Sequence, residues 1–384
     1  MTSYVHSFDA PGTPDRDLLG GKGAELARMV QLGLPVPPGF TITTAACRQV
    51  LEHGRRPAGM AGDVEHQLGL LEDRTGLVLG DPERPLLLAV RSGAASSMPG
   101  MMDTILDIGL NDETVLAVAR ISGDERFAWD CYRRLVQMFG ETVLGVAAAR
   151  FAALTATVVA ERGVDGLPAL DAEGLRDLVK RGRALCQEVA GRDLPQDPRE
   201  QLDLAIDAVF ASWQGERARI YRRRFGIPDH LGTAVNVQAM VFGNRGATSG
   251  SGVAFTRDPA TGALGDYGEY LADAQGEDVV SGARTAVPLA GLREIDLPSY
   301  RRLRSILSTL EHHYRDLCDV EFTIEDGRLW ILQTRVGKRS PAAAFRIAAD
   351  LVEEGMITED EALVRVTGDQ LTQLMFPQIG RAHV

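Results

Sequence analysis

The chain has 384 residues, 45% of them hydrophobic and 24% charged, with a formal net charge of −12. That length holds two or three packed lobes, and the acidic balance argues against a nucleic-acid partner, whose phosphates select a positive surface. The four cysteines, Cys47, Cys131, Cys186 and Cys318, stand far apart with no CxxC pair, which argues against a zinc site and for reduced thiols in a cytoplasmic protein.

The first residues carry no basic-then-apolar leader, and no apolar run approaches the ~20 residues of a membrane span, so no membrane partner is expected. Leu26, Met29 and Val30 fall at helical spacing, which predicts a helix over 23–32 with Gly33 as its left-handed stop. Pro35, Pro37 and Pro38 then break the chain before the β-rich 40–43. Leu86–Val90 is a continuous apolar run of strand length, with Arg91 emerging at its end. From Asn111 to Leu194 alanine-rich, charged helical patterns replace every strand signal, which reads as a helical insert. An amphipathic helix is predicted near 199–224, its stripe formed by Leu202, Ile206, Val209, Phe210, Trp213 and Ile220. The runs Arg222–Arg224 and Arg301–Arg302 read as solvated helix faces. Residues 233–242, 253–256 and two segments within 319–335 are predicted strands, and 342–376 returns to helix with Ile347, Leu351 and Met356 on one face. The expected domains are 1–110, a helical insert at 111–198, 199–340 with a glycine-rich loop and a carboxylate strand, and a helical linker and tail at 341–384.

Four segments carry chemistry. Lys22 follows Gly20-Gly21 and opens a helix, where small residues, a helix N-terminus and an ammonium suit a phosphate; a glycine turn with a solvated lysine is the plainer alternative. Arg91, placed after five apolar residues, needs an anion because an unpaired buried charge is costly; a structural salt bridge would also serve. The run Gly243–Gly252 joins two strands, and its consecutive N–H groups with Thr248, Ser249 and Ser251 could form an anion nest, or a plain surface linker. No Walker pattern occurs. Cations and backbone donors set against paired carboxylates fit a magnesium–nucleoside triphosphate.

The carboxylates lie in the fourth segment. Asp319, Glu321 and Thr323 share one strand face, and Val320, Phe322 and Ile324 the other. A two-residue turn at Asp326-Gly327 would put Gln333 and Arg335 opposite the acids. A three-residue loop, Glu325–Gly327, aligns Asp319 with Gln333, puts all four polar groups on one surface, and gathers Val320, Phe322, Ile324, Trp330 and Leu332 on the other. Core patterning favours that longer loop, with Gly327 left-handed. Carboxylates two apart on a strand lie ~7 Å apart, which suits Mg²⁺ bridging phosphate oxygens; a structural charge network is the alternative.

In this order the segments LLGGKGAELARM (18–29), GLPVPPGFTIT (33–43), AVRSGAASSMPGMMDTILDIGLND (89–112), MVFGNRGATSGSGVAFTRDPATG (240–262), GEYLADAQGEDVVSG (268–282) and DVEFTIEDGRLWILQTRVGKR (319–339) resemble the N-terminal nucleotide-binding domain of the pyruvate, phosphate dikinase family. The resemblance covers essentially the whole chain, and the methionine-rich SMPGMMDT separates it from the pyruvate, water dikinases. It implies an α+β ATP-grasp fold, two lobes clasping ATP, with a helical insert. It places Lys22, Arg91, Glu277, Asp319, Glu321, Gln333 and Arg335 on ATP- and phosphate-handling positions, Asp319 and Glu321 as the metal ligands, and Met240 and Val241 at the adenine hinge. Thr248, Ser249, Gly250 and Gly252 of the glycine-rich run are the remaining expected ATP contacts.

In that family ATP and inorganic phosphate pyrophosphorylate a carrier histidine in a separate swivelling domain, giving AMP, pyrophosphate and phosphohistidine overall. None of the seven histidines here, His6, His53, His66, His230, His312, His313 and His383, has the carrier context. The expectation is therefore a truncated piece or one half of a split system, with a phosphohistidine carrier domain as partner and ATP and Mg²⁺ as cofactors. The rivals are a stand-alone kinase of a small molecule or protein, and a regulatory nucleotide-binding module.

Overall fold

In the computed structural model, residues 3–96, 98, 102, 104–281 and 284–375 are described. Ser97, Pro99, Gly100, Met101 and Asp103, from the methionine-rich segment, lie outside the described residues. The chain divides into two units, Met1–Gly33 with Pro37–Met240, and Leu34–Val36 with Val241–Val384. Helices and antiparallel sheets make it α+β. No helix among the described residues is long and apolar enough to cross a membrane.

The first unit is built on strands β1 (Val5–Ser7), β2 (Gly39–Ile42), β3 (Leu88–Gly93), β4 (Thr104–Ile108) and β5 (Ala234–Ala239), in the order β1-β2-β5-β3-β4. Its helices are α1 (Arg16–Gln31), α2 (Thr44–His53), α3 (Met60–Thr75), α4 (Thr114–Ser122), α5 (Glu125–Thr142), α6 (Ala148–Arg162), α7 (Ala172–Ala190), α8 (Pro198–Ser212) and α9 (Glu216–Phe225). The helix predicted over 23–32 starts earlier, at Arg16, where Asp15 caps it by accepting the Asp17 N–H at 2.8 Å. It is interrupted at Gly20, whose φ of 69° and ψ of 168° are not helical.

Residues 111–194 contain helices and no strand. α5 packs against α4 and α7 and buries Phe127, Leu135 and Phe139, and Asp124 caps its start. Asp130 of α5 is buried against Arg133 and Arg134, both at 2.9 Å.

The single helix predicted near 199–224 is two, because the chain turns over at Trp213–Gly215. Leu202, Ile206, Val209, Phe210 and Trp213 are buried as their spacing requires, but Ile220, beyond the break, is exposed. Nor is Arg222 on a solvated face. It is fully buried, stacked 4.1 Å over the Trp213 ring and paired with Asp229 at 2.7 Å.

The second unit holds β6 (Gly250–Arg257), β7 (Leu264–Ala272), β8 (Val287–Pro288), β9 (Cys318–Glu325) and β10 (Arg328–Val336), in the order β10-β9-β6-β7-β8. Its helices are α10 (Gly276–Ser281), α11 (Leu292–Ile295), α12 (Leu297–Tyr314), α13 (Pro341–Glu353), α14 (Glu359–Arg365) and α15 (Gly368–Met375). α12 packs on β9, β10 and β6. α13 buries Ile347 and Leu351 in a cluster with Leu317, against which Met356 packs. Its end is tied to β6 by the buried Arg257, which bonds Glu311 at 2.8 Å and Glu354 at 2.5 Å. β7, like β1, β4 and β8, is a strand that sequence patterning did not reveal. Its Gly265 and Gly268 interrupt any apolar alternation, and Gly268 (φ 134°) lies where any side chain would overlap the carbonyl oxygen of Val253.

Candidate functional site

In the first unit, Lys22 and Arg91 spring from the same side of the sheet. Arg91 lies inside β3 rather than beyond its end, directly opposite Asn236 of β5 and Thr104 of β4. Asn236 in turn faces Thr41 of β2, and directly opposed residues share a face. Asn236 is fully buried; its Oδ1 accepts the Thr41 hydroxyl at 2.9 Å and its Nδ2 donates to the Arg91 carbonyl at 3.4 Å.

α1 lies on this face. A Cβ at Gly23 would come within 2.7 Å of Thr41 Oγ1 and 2.8 Å of Asn236 Oδ1. A Cβ at Gly93 would meet Asn236 Nδ2 at 2.6 Å and the Lys22 Cβ at 3.3 Å. One at Gly20 would overlap the Gly93 carbonyl oxygen, and the Gly21 N–H donates to the Ala94 carbonyl at 2.9 Å. The double glycine is therefore small because it docks α1 onto the end of β3. That packing, rather than a phosphate approaching the glycines, accounts for it, and it leaves Lys22 and Arg91, both half-buried, rooted side by side.

Sequence reasoning missed Asn236, which joins β2, β3 and α1. An asparagine centred in the apolar run Ala234–Ala239 was the available signal, since a buried amide must find partners.

In the second unit, β9 and β10 meet at a two-residue turn, Asp326-Gly327, with φ of 48° and 73°, the left-handed pair of a tight hairpin. The three-residue loop expected from core patterning is not formed, and the strand register changes a second time farther along the hairpin. Pairing runs Glu325–Arg328, Ile324–Leu329, Thr323–Trp330 and Phe322–Ile331, then a bulge at Leu332 shifts it to Glu321–Gln333 and Asp319–Arg335. The bulge restores the parity that the shorter turn removed. Asp319, Glu321, Gln333 and Arg335 therefore share one face, with Asp319 paired to Arg335 rather than to Gln333.

The opposite, buried face holds Val320, Phe322, Ile324, Leu329, Ile331 and Thr334. Trp330 and Leu332, expected there, are only half-buried. Arg335 donates from Nε to Asp319 Oδ2 at 2.7 Å, with Nη2 2.6 Å from the same oxygen. Val253 and Phe255 of β6 continue the acid-bearing face beside Glu321 and Asp319.

The glycine-rich run divides. Gly250 and Gly252 belong to the buried strand β6, hydrogen-bonded to β7 on one side and β9 on the other. A Cβ at Gly250 would run into the Tyr270 ring, and one at Gly252 would come within 2.5 Å of Phe322. Their role here is to admit aromatic rings to the core, and their N–H groups are not a nest. Ser249 and Ser251 are buried as well: Ser249 Oγ accepts the Asp326 N–H at 3.0 Å and Ser251 Oγ lies 2.9 Å from Thr323 Oγ1. Thr248 is exposed. Met240 and Val241, both half-buried, flank the last of the three points where the chain passes from one unit to the other. Glu277 is exposed on α10, which packs against β6, β7 and β9.

A magnesium ion fits this donor set in chemistry: Asp319 and Glu321 offer hard carboxylate oxygens and Gln333 an amide oxygen beside them. Two carboxylates leave an octahedral ion open to water and phosphate oxygens, the usual way Mg²⁺ is held.

Comparison with known proteins places these segments in context. The family model described as "Pyruvate phosphate dikinase, AMP/ATP-binding domain" matches residues 16–68, 56–288 and 290–356. The chain is 48% identical over 385 residues to pyruvate, phosphate dikinase of Clostridium symbiosum, covering 100% of this chain and 44% of that protein. It is 49% identical over 396 residues to the Rhizobium meliloti (strain 1021) enzyme of the same name, covering 99% and 44%. Against the Giardia intestinalis protein the identity is 48% over 366 residues, covering 94% and 41%. The chain thus spans less than half the length of these relatives.

Proposed function

The chain belongs to the pyruvate phosphate dikinase AMP/ATP-binding domain family, and on that premise we propose that it binds ATP with Mg²⁺ and carries out the ATP half-reaction of a dikinase. The transfer runs from ATP to a carrier histidine on a further domain, with inorganic phosphate as co-substrate and AMP and pyrophosphate released. The observation that carries the proposal is the placement of Asp319, Glu321, Gln333 and Arg335 on one face of the β9–β10 hairpin.

Asp319 and Glu321 would hold the metal, which when bound neutralises charge on phosphate oxygens. Among the described residues Arg335 Nη1 has no acceptor, while Nε and Nη2 are committed to Asp319. Arg335 can therefore keep its carboxylate and still offer N–H groups to a phosphoryl oxygen. That arrangement stabilises charge as it develops and asks no reorganisation of the side chain. Lys22 and Arg91 are proposed to orient phosphates, the ammonium as a point charge and the guanidinium as a planar fork. Met240 and Val241 are proposed to meet the adenine, and Thr248 and Glu277 to serve the nucleotide; Ser249, Gly250 and Gly252 are assigned to packing.

The test is incubation with β- and γ-labelled ATP and Mg²⁺, with and without a carrier-histidine domain of a relative. Label and AMP appearing when the carrier is supplied, with pyrophosphate formed only when inorganic phosphate is supplied as well, is the expected result. Rapid formation of AMP and pyrophosphate by the chain alone would contradict it and point to a stand-alone kinase.

A further inference from the structure

We infer that Glu325 is a positioning residue for the segment that receives the nucleotide base, acting through the backbone of Phe242; the inference rests on the reading of Met240-Val241 as the adenine-facing segment. Glu325 closes β9, and its Oε1 accepts the Phe242 N–H at 3.2 Å. A trans peptide sets its N–H and C=O in opposite directions. Holding the Phe242 N–H on Glu325 therefore turns the Val241 carbonyl the other way, and no donor among the described residues meets that carbonyl. It is left as an acceptor of fixed direction, which suits the exocyclic amine of adenine and opposes the carbonyl that guanine carries at the same ring position.

The rest of the hairpin tip reinforces the hold. The Asp326 N–H donates to Ser249 Oγ at 3.0 Å, and the Gly327 N–H to the Thr248 carbonyl at 3.0 Å. Arg245 lies 3.3 Å from Asp326 Oδ2 and 3.8 Å from Glu325 Oε1. From the other side the Ala274 N–H reaches the Gly243 carbonyl at 2.8 Å, and the Gly246 N–H reaches Asp273 Oδ1 at 3.2 Å. The 242–249 segment is clamped along its length, and Glu325 is the clamp next to the base. Burial pushes its carboxyl above the ordinary carboxylate range, against the Phe242 N–H and the Arg245 guanidinium, which favour the charged form. An acid held in such a place without a partner would be costly, and both partners it has, the Phe242 N–H and the Arg245 guanidinium, belong to this segment.

Titration calorimetry of the full chain with Mg-ATP, Mg-GTP and magnesium tripolyphosphate separates base from phosphate. Glu325→Ala should weaken Mg-ATP about tenfold, a change of about 1.4 kcal/mol, narrow the preference over Mg-GTP, and leave tripolyphosphate unchanged. Glu325→Gln, whose amide oxygen still accepts from Phe242, should stay within about threefold of the parent. Glu325→Asp, which withdraws the oxygen by one methylene, should follow the alanine variant and serves if that variant does not fold. Equal ATP affinity in the parent and in Glu325→Asp or Glu325→Ala would overturn the inference, as would equal loss of ATP and tripolyphosphate. A parent chain that binds neither ligand would instead overturn the ATP reading on which it rests.

Discussion

Arg335 gives two donors, Nε and Nη2, to one oxygen of Asp319, a geometry that an ammonium cannot copy. Arg335→Lys and Arg91→Lys should each lower turnover, measured with a carrier domain supplied, by tenfold or more, about 1.4 kcal/mol of transition-state stabilisation. Unchanged turnover would assign both guanidinium groups to structure alone. Asp130 is a structural counterpart. Burial raises its carboxyl pKa, but Arg133 and Arg134 outweigh that and bring it down to about 2. A carboxyl depressed on folding stabilises the native state above its unfolded value of roughly 3.9, and the contribution is lost as pH falls toward the folded value. The stability gap between the parent and Asp130→Asn, followed by urea unfolding, should therefore be widest near neutral pH and narrow below about pH 4. At this scale the sequence showed which residues carry charge but not where a charge is buried. Arg222, in a run of three arginines, looked solvated, and the Trp213 ring, the Trp213 carbonyl and Asp229 together explain its burial.

At the scale of elements, glycines fix how close two pieces of backbone come. Gly20 combines a positive φ with a position where a Cβ would overlap the Gly93 carbonyl oxygen. Gly20→Ala should cost about 2 kcal/mol or more and displace Lys22 with α1, lowering both the melting temperature and the affinity for Mg-ATP. Gly276→Ala, where a Cβ meets nothing within 4 Å, should leave the melting temperature within about the small range of neutral surface changes. Apolar periodicity made β2, β3, α8 and α13 legible, because each buries one face or both. It failed at β7, where glycines interrupt the pattern, and at Gly250 and Gly252, which read as loop residues but admit Tyr270 and Phe322 to the core. The β9–β10 hairpin is the most instructive case. Its four polar residues share a face as patterning required, yet through a two-residue turn and a bulge at Leu332. Patterning reports parity, and the turn and the bulge change parity together.

For the whole molecule, family membership rests on a match across the chain, and the α+β ATP-grasp fold class agrees with two antiparallel five-stranded sheets and their helices. Because the chain spans less than half of its relatives' length, the activity proposed for it is the ATP half-reaction with a carrier supplied. The claim most exposed to test is that the carboxylate face of β9–β10 binds the magnesium of Mg-ATP. Calorimetric titration of the folded chain and of the Asp319→Asn, Glu321→Gln double variant, each with and without Mg²⁺, tests it directly. The account predicts saturable ATP binding by the parent that strengthens at least tenfold with Mg²⁺, about 1.4 kcal/mol, and loss of that magnesium dependence in the double variant. Folded parent protein that binds no ATP in the presence of Mg²⁺, or a double variant with undiminished magnesium dependence, would contradict it.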